Sequence, residues 1–150
     1  MLGIDEMAPS VVLVTHDGHL FDLGLPGQHL VVFFFEDATS VRSANTAGDF
    51  NDNLLGFRQL GVQVIGVGID RAALVESFAS GLDLRYPLVS DAERNVSLAF
   101  GMVGTRRGRP RAATFLIDSS GLVRRVFPEI PPYGHARDVL NEAEYLWGGY

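Results

Sequence analysis

The sequence predicts an α/β domain in which buried strands alternate with amphipathic helices, and three stretches carry that prediction. Leu30-Val31-Val32-Phe33-Phe34-Phe35 is an unbroken apolar run, too short for a long helix and rich in β-branched and aromatic residues. It reads as a strand buried on both faces, at the centre of a sheet. Val62-Gln63-Val64-Ile65-Gly66-Val67-Gly68-Ile69 is a second strand of the same kind. Between them, Ala47, Phe50, Leu54, Phe57 and Leu60 recur at three- and four-residue steps, the spacing of one helix face, which Gly61 ends. Strand, helix, strand in that order implies parallel neighbours joined by a right-handed crossover.

The remaining elements follow in order. Residues 1–9 read as a loose leader. Residues 11–15 and 19–23 flank Asp17-Gly18 and form a hairpin. Leu25-Pro26-Gly27-Gln28 is a turn into the central strand. After the second buried strand, Asp70 is placed to cap a helix over residues 71–80 that Gly81 closes. Ser90, followed three residues later by Glu93, has the spacing of a capping box for a helix reaching about Phe100. Residues 101–110 are a loop, and residues 113–118 and 122–127 form a hairpin around Ser119-Ser120-Gly121. A Pro-rich connector, residues 128–133, leads to a last helix over residues 135–147 with Ala136, Val139, Leu140 and Ala143 inward.

Composition narrows the function. The 150 residues suit one domain, 47% apolar and 20% charged. The net charge is -6 and there is no Lys, so neither the broad basic face of a nucleic-acid binder nor a membrane span is expected. Asp5 and Glu6 stand where a secretory leader carries positive charge, so a cytoplasmic location is expected. His16, His19, His29 and His135 are scattered without metal-binding spacing, and neither a metal site nor a cofactor is expected.

Four segments resemble one family. Phe33-Phe34-Phe35-Glu36-Asp37-Ala38-Thr39-Ser40-Val41-Arg42-Ser43, running on to Phe50, is similar to the peroxidatic segment of the peroxiredoxins (AhpC/TSA superfamily), in the bacterioferritin-comigratory-protein branch. Thr15-His16-Asp17-Gly18, Tyr86-Pro87-Leu88-Val89-Ser90-Asp91 and Thr114-Phe115-Leu116-Ile117-Asp118 match its T-x-D-G, F-P-L-L-S-D and T-F-L-I-D. The resemblance covers about residues 8–147 and implies a thioredoxin-like fold, a central mixed sheet flanked by helices, with an N-terminal hairpin. It places Ser43 where that branch has its peroxidatic Cys, Ser40 at its Thr or Ser, Glu36 at its Pro, Gly48 at its common resolving Cys and Ala112 at its site Arg.

The chain has no cysteine. A thiolate can be held ionised at neutral pH and can cycle through sulfenic acid and disulfide, whereas a serine hydroxyl does neither. The protein should therefore not reduce peroxides by the family mechanism. Candidate catalytic residues are Ser43, Ser40, Glu36 and Arg111. Candidate ligand contacts are Arg42, Phe35, Ser40 and Arg111. Each has a plainer role as well: a helix cap for Ser43, solvated carboxylates for Glu36 and Asp37, and a basic loop for Arg106, Arg107, Arg109 and Arg111. Arg111 stands one residue too early for the family's Arg, and a one-residue slip turns a strand side chain to the other face. Enclosure of Glu36 by phenylalanines would make it a general acid or base.

Three functions fit. The first is a family relative that has lost thiol chemistry and uses its pocket for a small, anionic molecule. The second is a thiol peroxidase with its Cys replaced by Ser43, but Glu36, Arg42, Ala44, Thr46 and Ala112 depart from the family together, which a simple replacement does not explain. The third is an interaction module, monomer or homodimer, that uses the flat sheet edge or the face around Phe33 to Phe35 together with the aromatic tail Tyr145, Trp147 and Tyr150.

Overall fold

A strand without a polar residue needs cover on both faces, and the central run has it. In the computed structural model, which describes residues 1–102 and 112–149, Leu30 to Phe35 are each at most 1% exposed. Two short strands, β1 (Val12–Val14) and β2 (Leu20–Asp22), form the antiparallel hairpin. Five more, β3 (His29–Phe35), β4 (Val62–Gly68), β5 (Leu88–Ser90), β6 (Ala113–Ile117) and β7 (Val123–Phe127), form a sheet ordered β5-β4-β3-β6-β7. Strands β3, β4 and β5 run parallel, while β6 is antiparallel to β3 and to β7. The sheet is therefore mixed, as the resemblance implies.

Alternation along β3 separates two cores. Val31, Phe33 and Phe35 face α1 (Val41–Asp52), α2 (Leu54–Gln59), α3 (Ala72–Gly81) and α5 (His135–Trp147). Phe33 stacks on Phe50 with ring centroids 4.5 Å apart, and Phe35 on Phe78 at 5.2 Å. Leu30, Val32 and Phe34 face the other way, toward the hairpin, the N-terminal segment and Val96 of α4 (Asn95–Ala99). Glycines in β4 admit the rings: a Cβ at Gly68 would stand 2.3 Å from the Phe35 ring, so only hydrogen fits there. No helix among the described residues is long and apolar enough to cross a membrane.

Several sequence expectations need correction. Phe33 to Phe35 offer no face to a partner, because all three are buried in the two cores. Residues 1–9 are not loose: Leu2 donates to the Phe100 carbonyl, Asp5 to that of Val123, Val123 in turn to that of Glu6, and Ala8 to that of Gly121, which lays the segment along β7. The helix expected through residues 47–60 breaks at Asn53 into α1 and α2, and the Asn53 side chain donates to the Asp49 carbonyl. A short polar side chain bonding back to its own helix competes with the backbone ladder at that point. Asp70 does not cap α3; it accepts from the Ala38 amide at 2.9 Å, while Arg71 holds the N-cap position. Gly81 is the last residue of α3, and Asp83, at φ 51, takes the left-handed turn beyond it. Ser90 does not form a capping box either. Its hydroxyl donates to the Asp70 carbonyl, and α4 is capped by Asp91, whose carboxylate accepts from the Val96 and Ser97 amides.

Candidate functional site

The site is built where β3 ends and α1 begins. The cap expected at Ser43 is Ser40 instead: it has extended dihedrals, φ -84 and ψ 145, and its oxygen accepts the Ser43 amide at 3.1 Å, which puts Ser43 inside the first turn. The loop before it is fixed by its own polar groups. Asp37 accepts from the Thr39 amide at 2.8 Å and the Thr39 hydroxyl at 2.6 Å, an Asx-type turn, and Ala38 is tied to Asp70 across the sheet end. No acidic residue lies in the first turn of α1, so side chains there leave the positive end of the helix dipole uncompensated.

Ser43 is 5% exposed and Thr46, one turn on, 7%. The Ser43 oxygen lies 2.9 Å from the Ser40 hydroxyl and 3.4 Å from the Asp37 amide, which donates to it. The Ser40 hydroxyl has one proton and two acceptors in reach, Ser43 Oγ and the Asp37 carbonyl at 3.0 Å. If it donates to Asp37, Ser43 donates to Ser40 and offers a lone pair to the pocket; if it donates to Ser43, the Ser43 proton turns inward. The pair can thus present either an acceptor or a donor. Neither neighbour of the Ser43 oxygen is a base, so nothing among the described residues activates it as a nucleophile.

The hydroxyls face a cavity of about 30 Å³. Phe34, Phe35, Ser40, Ser43 and Thr46 line it, and Glu36, Arg42, Ala112 and Ile130, which also line a larger space beside it, form its neck. Beyond the neck an open groove of about 670 Å³ runs along Pro128, Glu129, Pro131 and Pro132. The inner space holds roughly one or two waters or the end of a small group, whereas ligand sites for whole metabolites run to roughly 300 Å³ and more. The outer groove has that size. Arg42 is exposed, and its Nη2 donates to the Ile130 carbonyl at 2.9 Å.

Of the residues singled out from sequence, Ser40, Ser43, Arg42, Glu36 and Phe35 come together here. Glu36 is exposed at the neck instead of being enclosed by the phenylalanines. Arg111, like Arg106, Arg107 and Arg109, lies outside the described residues. Ala112, at the family's Arg position, does line the pocket. Sequence reasoning missed Thr46 as a wall, although it lies three residues after Ser43 on the same buried face as Phe50. It also missed Ile130, which no local pattern marks.

A second polar cluster lies further along α1. His135, 2% exposed, has Nε2 2.7 Å from the hydroxyl of Thr114, which is 0% exposed, and meets Phe50 and Phe127 edge-on. Burial pushes the imidazole down to about 4, against the opposing pull of Asp138 and Asp49. Asp49 accepts the Ala136 amide at 2.9 Å and so caps α5 from the neighbouring helix.

The AhpC/TSA family model matches residues 4–126. Peroxiredoxin Bcp of Escherichia coli strain K12 is 28% identical over 147 residues, covering 93% of this chain and 94% of its own. Among solved structures, a mutant of Xylella fastidiosa PrxQ with serine in place of one cysteine superposes with a TM-score of 0.89 at 23% identity, covering 97% of this chain and 98% of that one. Peroxidoxin BcpB of Mycobacterium tuberculosis gives 0.87 at 24% identity, with 97% and 99% covered. These structures share the fold.

Proposed function

We propose, from the premise that this chain belongs to the AhpC/TSA family, that it is a cysteine-less member which has given up peroxide reduction and holds a small carboxylate at the start of α1. The single observation behind this reading is the 30 Å³ cavity at the Ser40–Ser43 pair, whose neck residues also line the larger groove. A carboxylate end would accept from the hydroxyls and meet the uncompensated helix dipole, with Arg42 at the neck and the body of the molecule in the groove. Binding is favoured over catalysis because the Ser43 oxygen sits between a hydroxyl and an amide, neither able to take its proton. A cytoplasmic location belongs to the same reading, and fractionation of the native host checks it.

Two experiments test this. The parent protein, given hydrogen peroxide and a dithiol reductant, is expected to show no turnover, and catalytic consumption of peroxide would sink the reading. Titration with acetate and benzoate, followed by amide chemical shifts at Ser40 and Ser43, is expected to saturate. The shift should vanish in Ala112→Leu, which fills the neck; an undiminished response in that variant would place binding elsewhere. Installing Ser43→Cys separates the alternative of a peroxidase whose Cys alone was replaced. Rapid turnover would support that alternative, and none is expected, because Glu36 and Ala112 stand where the family has Pro and Arg.

A further inference from the structure

We propose that Arg42 is a latch across the neck of this cavity, and that a ligand reaches the two hydroxyls only when the guanidinium lets go of the Ile130 carbonyl. The inference rests on the binding reading above and adds how the site is opened. Inner cavity and outer groove share four walls, Glu36, Arg42, Ala112 and Ile130. Across them runs the hydrogen bond from Arg42 Nη2 to the Ile130 carbonyl, 2.9 Å long and joining residues 88 apart in sequence.

The two sides of that bond differ in freedom. Ile130 is anchored, its side chain 4% exposed and followed by Pro131 and Pro132, whose rings fix φ. Arg42 sits exposed in the first turn of α1. Exposed side chains change rotamer on the picosecond-to-nanosecond scale, so the arginine is the moving part. Ala112, another of the four walls, contributes only a methyl. A carboxylate can take two parallel bonds from a guanidinium where a carbonyl takes one, so an arriving anion competes directly for the group that closes the way. Neutral molecules of the same size lack that means of entry.

The gate is measured without any ligand. Ser43→Cys serves as a reporter, and its alkylation by iodoacetamide is followed across pH to the plateau where the thiol is fully ionised, which removes the effect of the arginine charge on thiol ionisation. Adding Arg42→Met keeps most of the stem and deletes the bond, and the plateau rate is expected to rise at least about tenfold, the shift that loss of one charge-assisted hydrogen bond makes in an opening equilibrium and more than the roughly threefold that a thiolate one unit more basic gains in nucleophilicity. A rise of about threefold or less, or none, would overturn the latch. So would a rise accompanied by a fall in thermal midpoint well beyond the few degrees that loss of the one bond makes, which reports general loosening. A failure here leaves carboxylate binding untouched, and a failure of acetate and benzoate to bind leaves this rate unaffected.

Discussion

The two ends of α1 both press polar groups against aromatic rings, and they treat them in opposite ways. At the later end, His135 and Thr114 are bonded to each other, flanked edge-on by Phe50 and Phe127, and closed off by the Asp49 cap on α5. At the earlier end, Ser43 is almost as deeply buried, yet it and Ser40 border unfilled space and keep a choice of hydrogen-bond direction. Burial alone therefore does not distinguish the two ends. Unfilled volume beside hydroxyls with a choice of hydrogen-bond direction does, and the difference can be measured.

The largest effect is expected at the sealed end. Phe50 is 0% exposed and touches Phe33, Phe57 and His135, so Phe50→Ala should cost about 3–5 kcal/mol in urea unfolding, the transfer and cavity cost of a large ring. Ser43→Ala removes one atom next to an existing void and should cost less than about 1 kcal/mol. Comparable losses would mean that the two ends are packed alike.

Acid should act next most strongly, again through the sealed end. His135 is held near 4 when folded against 6.5 unfolded, so the unfolded chain takes up a proton first as pH falls. Its contribution is complete above about pH 6.5. It drains between 6.5 and 4 by on the order of 3 kcal/mol and changes no further below that. Asp17, whose bond to Thr15 lowers it to about 2, acts with the usual carboxylate sign in a lower window, between 3.8 and 2. Stability curves from pH 7 to 4 should flatten in His135→Gln, and an equal slope in parent and variant would show that the imidazole is not sealed. Asp49→Ala, which uncaps α5 without opening the core, should cost about 1 kcal/mol by thermal unfolding.

Local chemistry made most of the fold legible. The run from Leu30 to Phe35, the Asp17-Gly18 hairpin and the inward stripe of α5 each follow from periodicity or turn residues within a dozen positions, and β3, β1–β2 and α5 stand where those signals put them. What was missed depends on partners far away in sequence. Asp70 and Ser90 have the composition of caps, but each is spent across the sheet end, on Ala38 and on the Asp70 carbonyl. The N-terminal segment looks unanchored until β7 lies beside it. In the site, Ser40 and Ser43 stood out through the family resemblance, whereas the cap expected at Ser43 is held by Ser40, three residues earlier. Ile130 was not legible, because it reaches the cavity and the Arg42 bond from 88 residues away in sequence.

The smallest effect tests the open end by itself. Ser40 supplies the cap to the Ser43 amide, a proton for the Asp37 carbonyl or Ser43, and an acceptor for Ser43 in turn. Ser43 receives only a long bond from Asp37 and shares one with Ser40. Ser40→Ala should therefore cost about 1 kcal/mol, the usual loss of an N-cap, and Ser43→Ala a few tenths at most. The order matters more than the size. A cap works in the folded chain whatever fills the cavity, but a hydroxyl kept for a ligand contributes little until the ligand arrives. If Ser43→Ala is the costlier of the two in the ligand-free protein, its oxygen is a structural strut, and the contrast between the two ends of α1 disappears.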